Sequence, residues 1–287
     1  MLEPLANGLA VGAAYALLGL GFTLIFGVMR RFNLAFGPTI LVGVYAAGLV
    51  GVAWPGAPWL SLAAGLAATL AAGLYVERVC FAPLRSEPAY VSMISTFAVW
   101  MQFQELVSLA TPSRTLPFLT AVRVPAVAWG GAELRGEVVL MAAGATALTL
   151  GLFLLLYGTA YGRAVRALTD DAEAASLMGV HAGRLGTSAF LLACLVGGAA
   201  GLMIALAHRQ VSAYFGLWAT VKGLTAMMLG GPASIGGAAL GGLALGLTET
   251  GALWLWGGQY RDAAAYALLL LVIVWRARRA SLREPAA

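Results

Sequence analysis

From Phe32 to Val76 the chain runs 45 residues without a charged side chain, and Leu5 to Met29 is a second uncharged run. A helix needs about 20 apolar residues to cross a bilayer core, so the longer run holds two spans. Its middle reads Trp54-Pro-Gly-Ala-Pro-Trp59. Two prolines and a glycine stop a helix there, and tryptophans favour the lipid–water boundary, so a tight hairpin is expected. Only 10% of the residues are charged and 61% are hydrophobic, against roughly a quarter charged in ordinary soluble domains. A water-soluble fold is excluded.

Further uncharged stretches cover Pro88 to Gln104, Val138 to Gly162, Leu185 to His208 and Gly223 to Thr248, with a short one from Ala263 to Trp275. They predict an all-α integral membrane protein, a polytopic bundle of about eight or nine transmembrane helices. The spans fall near 6–28, 34–53, 59–81, 89–110, 138–159, 187–207, 213–231, 237–256 and 260–277, the seventh and ninth being the weakest. Nothing marks the first run as a cleavable signal, because it is too long and lacks a basic start. Glycines spaced by four (Gly8 and Gly12, Gly197 and Gly201, Gly237 and Gly241, Gly242 and Gly246) suit close helix packing.

Placement of the basic residues sets the expected orientation. Of 17 Lys and Arg, 11 fall on one side of an alternating topology: Arg30 and Arg31, Arg78 and Arg85, Arg163, Arg166 and Arg184, and Arg276, Arg278, Arg279 and Arg283. By the positive-inside rule that side is cytoplasmic. The N-terminus and the polar loop 111–137 are then outside, and the C-terminus is cytoplasmic. The basic balance calls for membrane lipid as a partner, and nothing calls for nucleic acid.

Enzyme chemistry finds no support in the residues. His181 and His208 have no partner at metal-ligand or nucleophile–base spacing, and no G-x-S-x-G elbow occurs. Cys80 and Cys194 lie in or beside apolar runs, as small buried hydrophobes do. There is no G-x-x-x-x-G-K-[ST] phosphate loop, so ATP-driven work must come from another subunit. The informative polar groups are those at membrane depth: Asn33, Gln102, Gln104, Glu105, Lys222 and Glu249. Such groups mark a substrate path, or else join helices or snorkel to an interface. A Lys222–Glu249 ion pair is open on spacing alone.

Two segments read as broken helix, Arg30 to Thr39 and Met228 to Gly242, the second equally readable as a cytoplasmic turn. One segment is polar, within a cytoplasmic loop 160–186. There Thr169 suits an N-cap, Asp170, Asp171 and Glu173 place negative charge in a first helical turn, and Gly179 suits a stop. Between them Ala174 and Ala175 leave a small-residue face with two apolar contacts, Leu177 and Met178. A short helix of this kind suits insertion into a groove of another protein, the alternative being a solvated connector.

Three stretches carry a resemblance to a known family: Gly162 to Val180, Asn33 to Gly37 (NLAFG), and Lys222 to Gly242. In order and separation they resemble the coupling loop, the N-[FL]-A-H-G signature and the glycine-rich signature of membrane permeases in ABC importers for branched-chain amino acids. Together with the span pattern the likeness covers nearly the whole chain. It implies a permease domain over 1–287 that alternates between outward-open and inward-open states in a bacterial inner membrane. It also implies cytoplasmic ATP-binding subunits, a second permease subunit, identical or homologous, and an extracytoplasmic substrate-binding protein. No cofactor is implied for this chain, ATP and magnesium being used by the ATPase.

The resemblance makes Asp170 to Gly179 the transmission element and places Asn33, Phe36, Gly37, Lys222, Thr225 and Glu249 near the translocation path. Phe36 stands where the family usually has His, and Pro38 where a polar residue is common. Relatives of the family carry urea, short amides or other small solutes, so a permease for those is the second reading. An ion-coupled carrier or channel is the reading from another class.

Overall fold

The computed structural model describes residues 2–110, 115–118, 124–129, 132–232 and 234–281. The helices in chain order are α1 (Leu2–Met29), α2 (Phe36–Ala53), α3 (Pro58–Val76, continued by a π-helical turn Glu77–Phe81), α4 (Ala89–Ala110), α5 (Gly136–Gly158), α6 (Ala160–Asp170), α7 (Ala172–Leu177), α8 (Ala182–His208), α9 (Phe215–Gly230), α10 (Ile235–Trp256) and α11 (Arg261–Ser281). Among the described residues nine of these are long, the shortest being α9 with 16 residues. Six of them (α1, α2, α3, α5, α8 and α10) are long and apolar enough to cross a membrane unaided. The others are too short, as α9 is, or diluted by polar groups, as in α4 and at the charged ends of α11.

Between Trp54 and Pro58 the expected hairpin forms, with Ala57 N donating to Trp54 O at 3.1 Å and both tryptophans exposed. Four three-residue strands make two antiparallel ribbons: β1 (Thr115–Pro117) with β4 (Gln210–Ser212), and β2 (Val127–Trp129) with β3 (Ala132–Leu134). The expected outer loop 111–137 is therefore partly ribbon and runs into the first residues of α5, while residues 111–114, 119–123, 130 and 131 lie outside the described ones.

Burial sorts the helices into centre and rim. In the apolar stretch of α1, 83% of residues are buried, against 17% in α5, so α1 is the axis of the bundle and α5 faces outward. A helix apolar all round is expected at such a centre. Glycine lets α10 lie directly on α1. A Cβ at Gly12 would stand 2.9 Å from the Leu243 Cα, and one at Gly246 would enter the backbone of Gly12. Lipid gives helices no hydrophobic drive to associate, so this backbone contact supplies van der Waals attraction where none would otherwise arise.

Both α2 and α9 begin beside inner turns of α1. The Phe36 ring at the start of α2 lies against Gly21 of α1, well short of that helix's end at Met29. Trp218, in the first turn of α9, packs its ring 5.6 Å from that of Tyr15, midway along α1. Residues 30–35 are irregular and include the buried Asn33, so the chain is broken there as expected, while Phe36 to Thr39 of the expected break are already the first turn of α2. Proline at position 38 fits because it falls in the first turn of α2, where an amide is spare. At the second break, at the end of the bundle where α6 lies, Ser234 N donates to Gly231 O at 3.1 Å. Gly231 takes φ 104° there, and Arg276 donates to the carbonyls of Met228 (3.2 Å) and Leu229 (2.7 Å).

Candidate functional sites: a polar docking segment and a buried charge cluster

The polar segment is two helices, not one. Thr159 caps α6, accepting from Gly162 N at 3.1 Å, and Val165 and Leu168 turn inward. Thr169, expected as an N-cap, instead lies inside α6, bonded to Val165 O at 3.0 Å; Asp170 is the last residue of that helix and not part of a first turn. The cap is Asp171, whose Oδ1 accepts from Glu173 N (2.9 Å) and Ala174 N (3.0 Å) and so starts α7. Both residues are good caps, and a tertiary contact decides between them. Arg30, at φ 51° where α1 ends, donates to the carbonyls of Thr169 (3.0 Å) and Asp170 (3.1 Å), closing α6 at that point.

Gly179 ends the segment as expected, at φ 85°, with Val180 N returning to Ala175 O at 3.1 Å. Ala175 is buried, so the small face turns toward the protein. Leu177 and Met178 project outward at 84% and 86% exposure, with Glu173 and Ala174 exposed beside them. The exposed apolar surface of the segment is therefore Leu177 and Met178, not the alanine face. Sequence reasoning missed Arg30, whose guanidinium ties this segment to the central helix; two arginines at the end of a span were the available signal.

The second site is a charge cluster among α1, α9, α10 and α11. Lys222 Nζ lies 2.5 Å from Glu249 Oε1 and 2.6 Å from Asp262 Oδ1, while Arg261 Nε lies 2.8 Å from Glu249 Oε2. Tyr15 donates to Glu249 at 2.9 Å and accepts from Arg261 at 2.9 Å. Two cations meet two anions, so the cluster is neutral. Lys222 and Glu249 are fully buried, whereas Asp262 is 62% exposed. Such a network holds four helices in one register, because a buried charge stripped of its partner costs several kcal/mol. The pair left open by spacing is formed. Arg261 and Asp262 were not foreseen, although the Gly257-Gly258 turn places them level with Glu249.

Other candidates lie apart. Asn33 Oδ1 accepts from Ala35 N at 3.0 Å, and its Nδ2 has no partner among the described residues. The Phe36 ring is fully buried between Gly21 and Gly197, edge-on to Phe22 at 4.7 Å. Gly37 abuts Gly216 and Thr220 of α9. Thr225, buried, bonds its own helix at Val221 O, 2.7 Å. Of the remaining polar residues, Gln104 donates to Ala213 O at 2.6 Å, Gln102 accepts from Tyr75 at 3.0 Å, and Glu105 lies on the outer surface of α4. Gly37 makes the α2–α9 contact while Phe36 packs against α1 and α8, Lys222 and Glu249 share the charge cluster, and among the described residues no single chamber joins all six. Among the described residues no three His, Cys, Asp or Glu side chains gather as metal ligands do.

A multi-pass helical bundle with a capped polar segment at one end and a neutral charge cluster inside defines a polytopic membrane protein. Comparison with known proteins gives the particular family: the profile described as "Branched-chain amino acid transport system / permease component" matches residues 5–274, and the chain belongs to that family. BraD of Pseudomonas aeruginosa, a high-affinity branched-chain amino acid transport system permease protein, is 31% identical over 288 residues, covering 96% of this chain and 94% of the relative. LivH of Escherichia coli, described in the same words, is 29% identical over 285 residues, covering 95% and 92%. The fructose import permease FrcC of Rhizobium meliloti is 37% identical over 86 residues, covering 30% and 24%.

Proposed function

We propose that the chain is the transmembrane permease subunit of an ATP-binding-cassette importer for branched-chain or other small amino acids. The observation that carries this reading is the α6–α7 segment: α7 and its C-cap offer Leu177 and Met178 to a partner, and the end of α6 just before it is joined through Arg30 to the central helix. The partner is a cytoplasmic ATP-binding subunit, which holds the nucleotide and its magnesium. The end bearing α6, α7 and Arg276 is cytoplasmic, because basic residues gather there. The N-terminus and the β-ribbons face outward, toward an extracytoplasmic binding protein, and a second permease completes the assembly in a bacterial inner membrane.

When the ATPase pair closes on ATP, it pushes α7, and the Arg30 link passes that displacement to α1. The test is copurification from cells expressing the whole importer. Burying Leu177 and Met178 in a partner groove contributes about 1.5–3 kcal/mol each, so Leu177→Asp with Met178→Asp should cut ATPase recovery by more than about tenfold. Recovery at the parental level from a folded permease would refute the docking assignment.

A further inference from the structure

The end of the bundle opposite α6 and α7 holds a cavity of about 300 Å³ where α8 ends, α9 begins and β1 pairs with β4. One wall is apolar and aromatic, formed by Ile204, Phe215 and Trp218; the other is polar and uncharged, formed by Thr115, Gln210 and Ser212. His208 and Tyr214 complete the lining, and none of the described residues in it is Asp, Glu, Lys or Arg. Trp218 also packs on Tyr15, whose hydroxyl bonds Glu249 and Arg261, so the cavity wall continues into the charge cluster.

That lining restricts the ligand. A solute of net charge would enter without a counter-ion and pay its desolvation uncompensated. Amide and hydroxyl groups can meet both ends of a zwitterion, which is neutral overall, by donating to its carboxylate and accepting from its ammonium. The size is at the low end for small-molecule sites. A solute of urea's size would leave the aromatic wall unused, whereas an aliphatic side chain would cover it.

We propose that this cavity is a solute subsite for zwitterionic amino acids, with Ile204, Phe215 and Trp218 receiving the apolar side chain and Gln210, Ser212 and Thr115 the head group. The proposal rests on the importer reading and adds to it the residues that select by side-chain size. The α-carboxylate then lies toward the start of α9, whose N-cap Tyr214 offers no side-chain acceptor to the helix.

The experiment is uptake of leucine, alanine and urea by the complete importer in proteoliposomes, each normalised to the amount of assembled complex. Ser212→Phe narrows the cavity and should lower the leucine-to-alanine uptake ratio about tenfold, the scale on which an apolar pocket discriminates. Trp218→Leu widens it and should not lower that ratio. Should Ser212→Phe fail to assemble, Thr115→Phe narrows the cavity from the opposing strand. Leucine uptake by the parent with ratios unchanged in all variants would overturn the subsite alone. Urea uptake without amino-acid uptake in the parent would overturn the importer reading and the subsite with it.

Discussion

Lys222 shows how a membrane-depth charge is made tolerable. Its ammonium has carboxylates on two sides, and Glu249 is in turn held by Arg261 and Tyr15. Lys222→Met leaves an excess negative charge in the bundle and should destabilise the purified permease by on the order of 3 kcal/mol. Lys222→Met combined with Glu249→Gln should recover much of that loss, read as thermal melting in detergent. Additive losses would mean the pair is not coupled. The charges were visible as oddities in two apolar runs, but their partners belong to a turn and a helix start many residues away, and pairing is a tertiary fact. Phe36 was legible as a departure from the family signature. That its ring fills a slot made by two glycines of other helices was not, because neither glycine is near it in the chain.

At the scale of elements, the long helices and the hairpin at Trp54 to Trp59 followed from hydropathy, since the bilayer sets their length and only proline and glycine interrupt them, although six of the helices qualify as spans by length and composition. The break between α6 and α7 did not, because Thr169 and Asp171 are chemically equivalent as caps until Arg30 closes on the carbonyls before Asp171. With six residues, α7 is too short to persist unaided, so its caps matter more than its propensity. Asp171→Ala should cost about 1 kcal/mol locally. Hydrogen exchange at the amides of residues 173–177 should then run about fivefold faster, with α8 unchanged. Equal exchange rates in the two proteins would show that Asp171 does not hold the helix. Bulky replacement of Ala175 is a poor probe of docking, because that side chain is turned into the protein and the change would displace α7 itself.

For the whole molecule, membrane residence was readable from the first uncharged runs, and the absence of a phosphate loop pointed to work done by another chain. That α2 and α9 both begin against inner turns of α1 was less legible, because such placement depends on which helices flank them. Both helices begin beside the central α1, which also receives the Arg30 link from α6 and backs the charge cluster through Tyr15. In the importer we propose, a push at α7 reaches that axis through the end of α6 and Arg30. The most direct measurement is leucine uptake by proteoliposomes holding the permeases and ATPases, with loaded binding protein outside and ATP inside. Uptake should require hydrolysable ATP and vanish with a non-hydrolysable analogue even under a proton gradient. Uptake that runs on the gradient alone would contradict the account and point to an ion-coupled carrier.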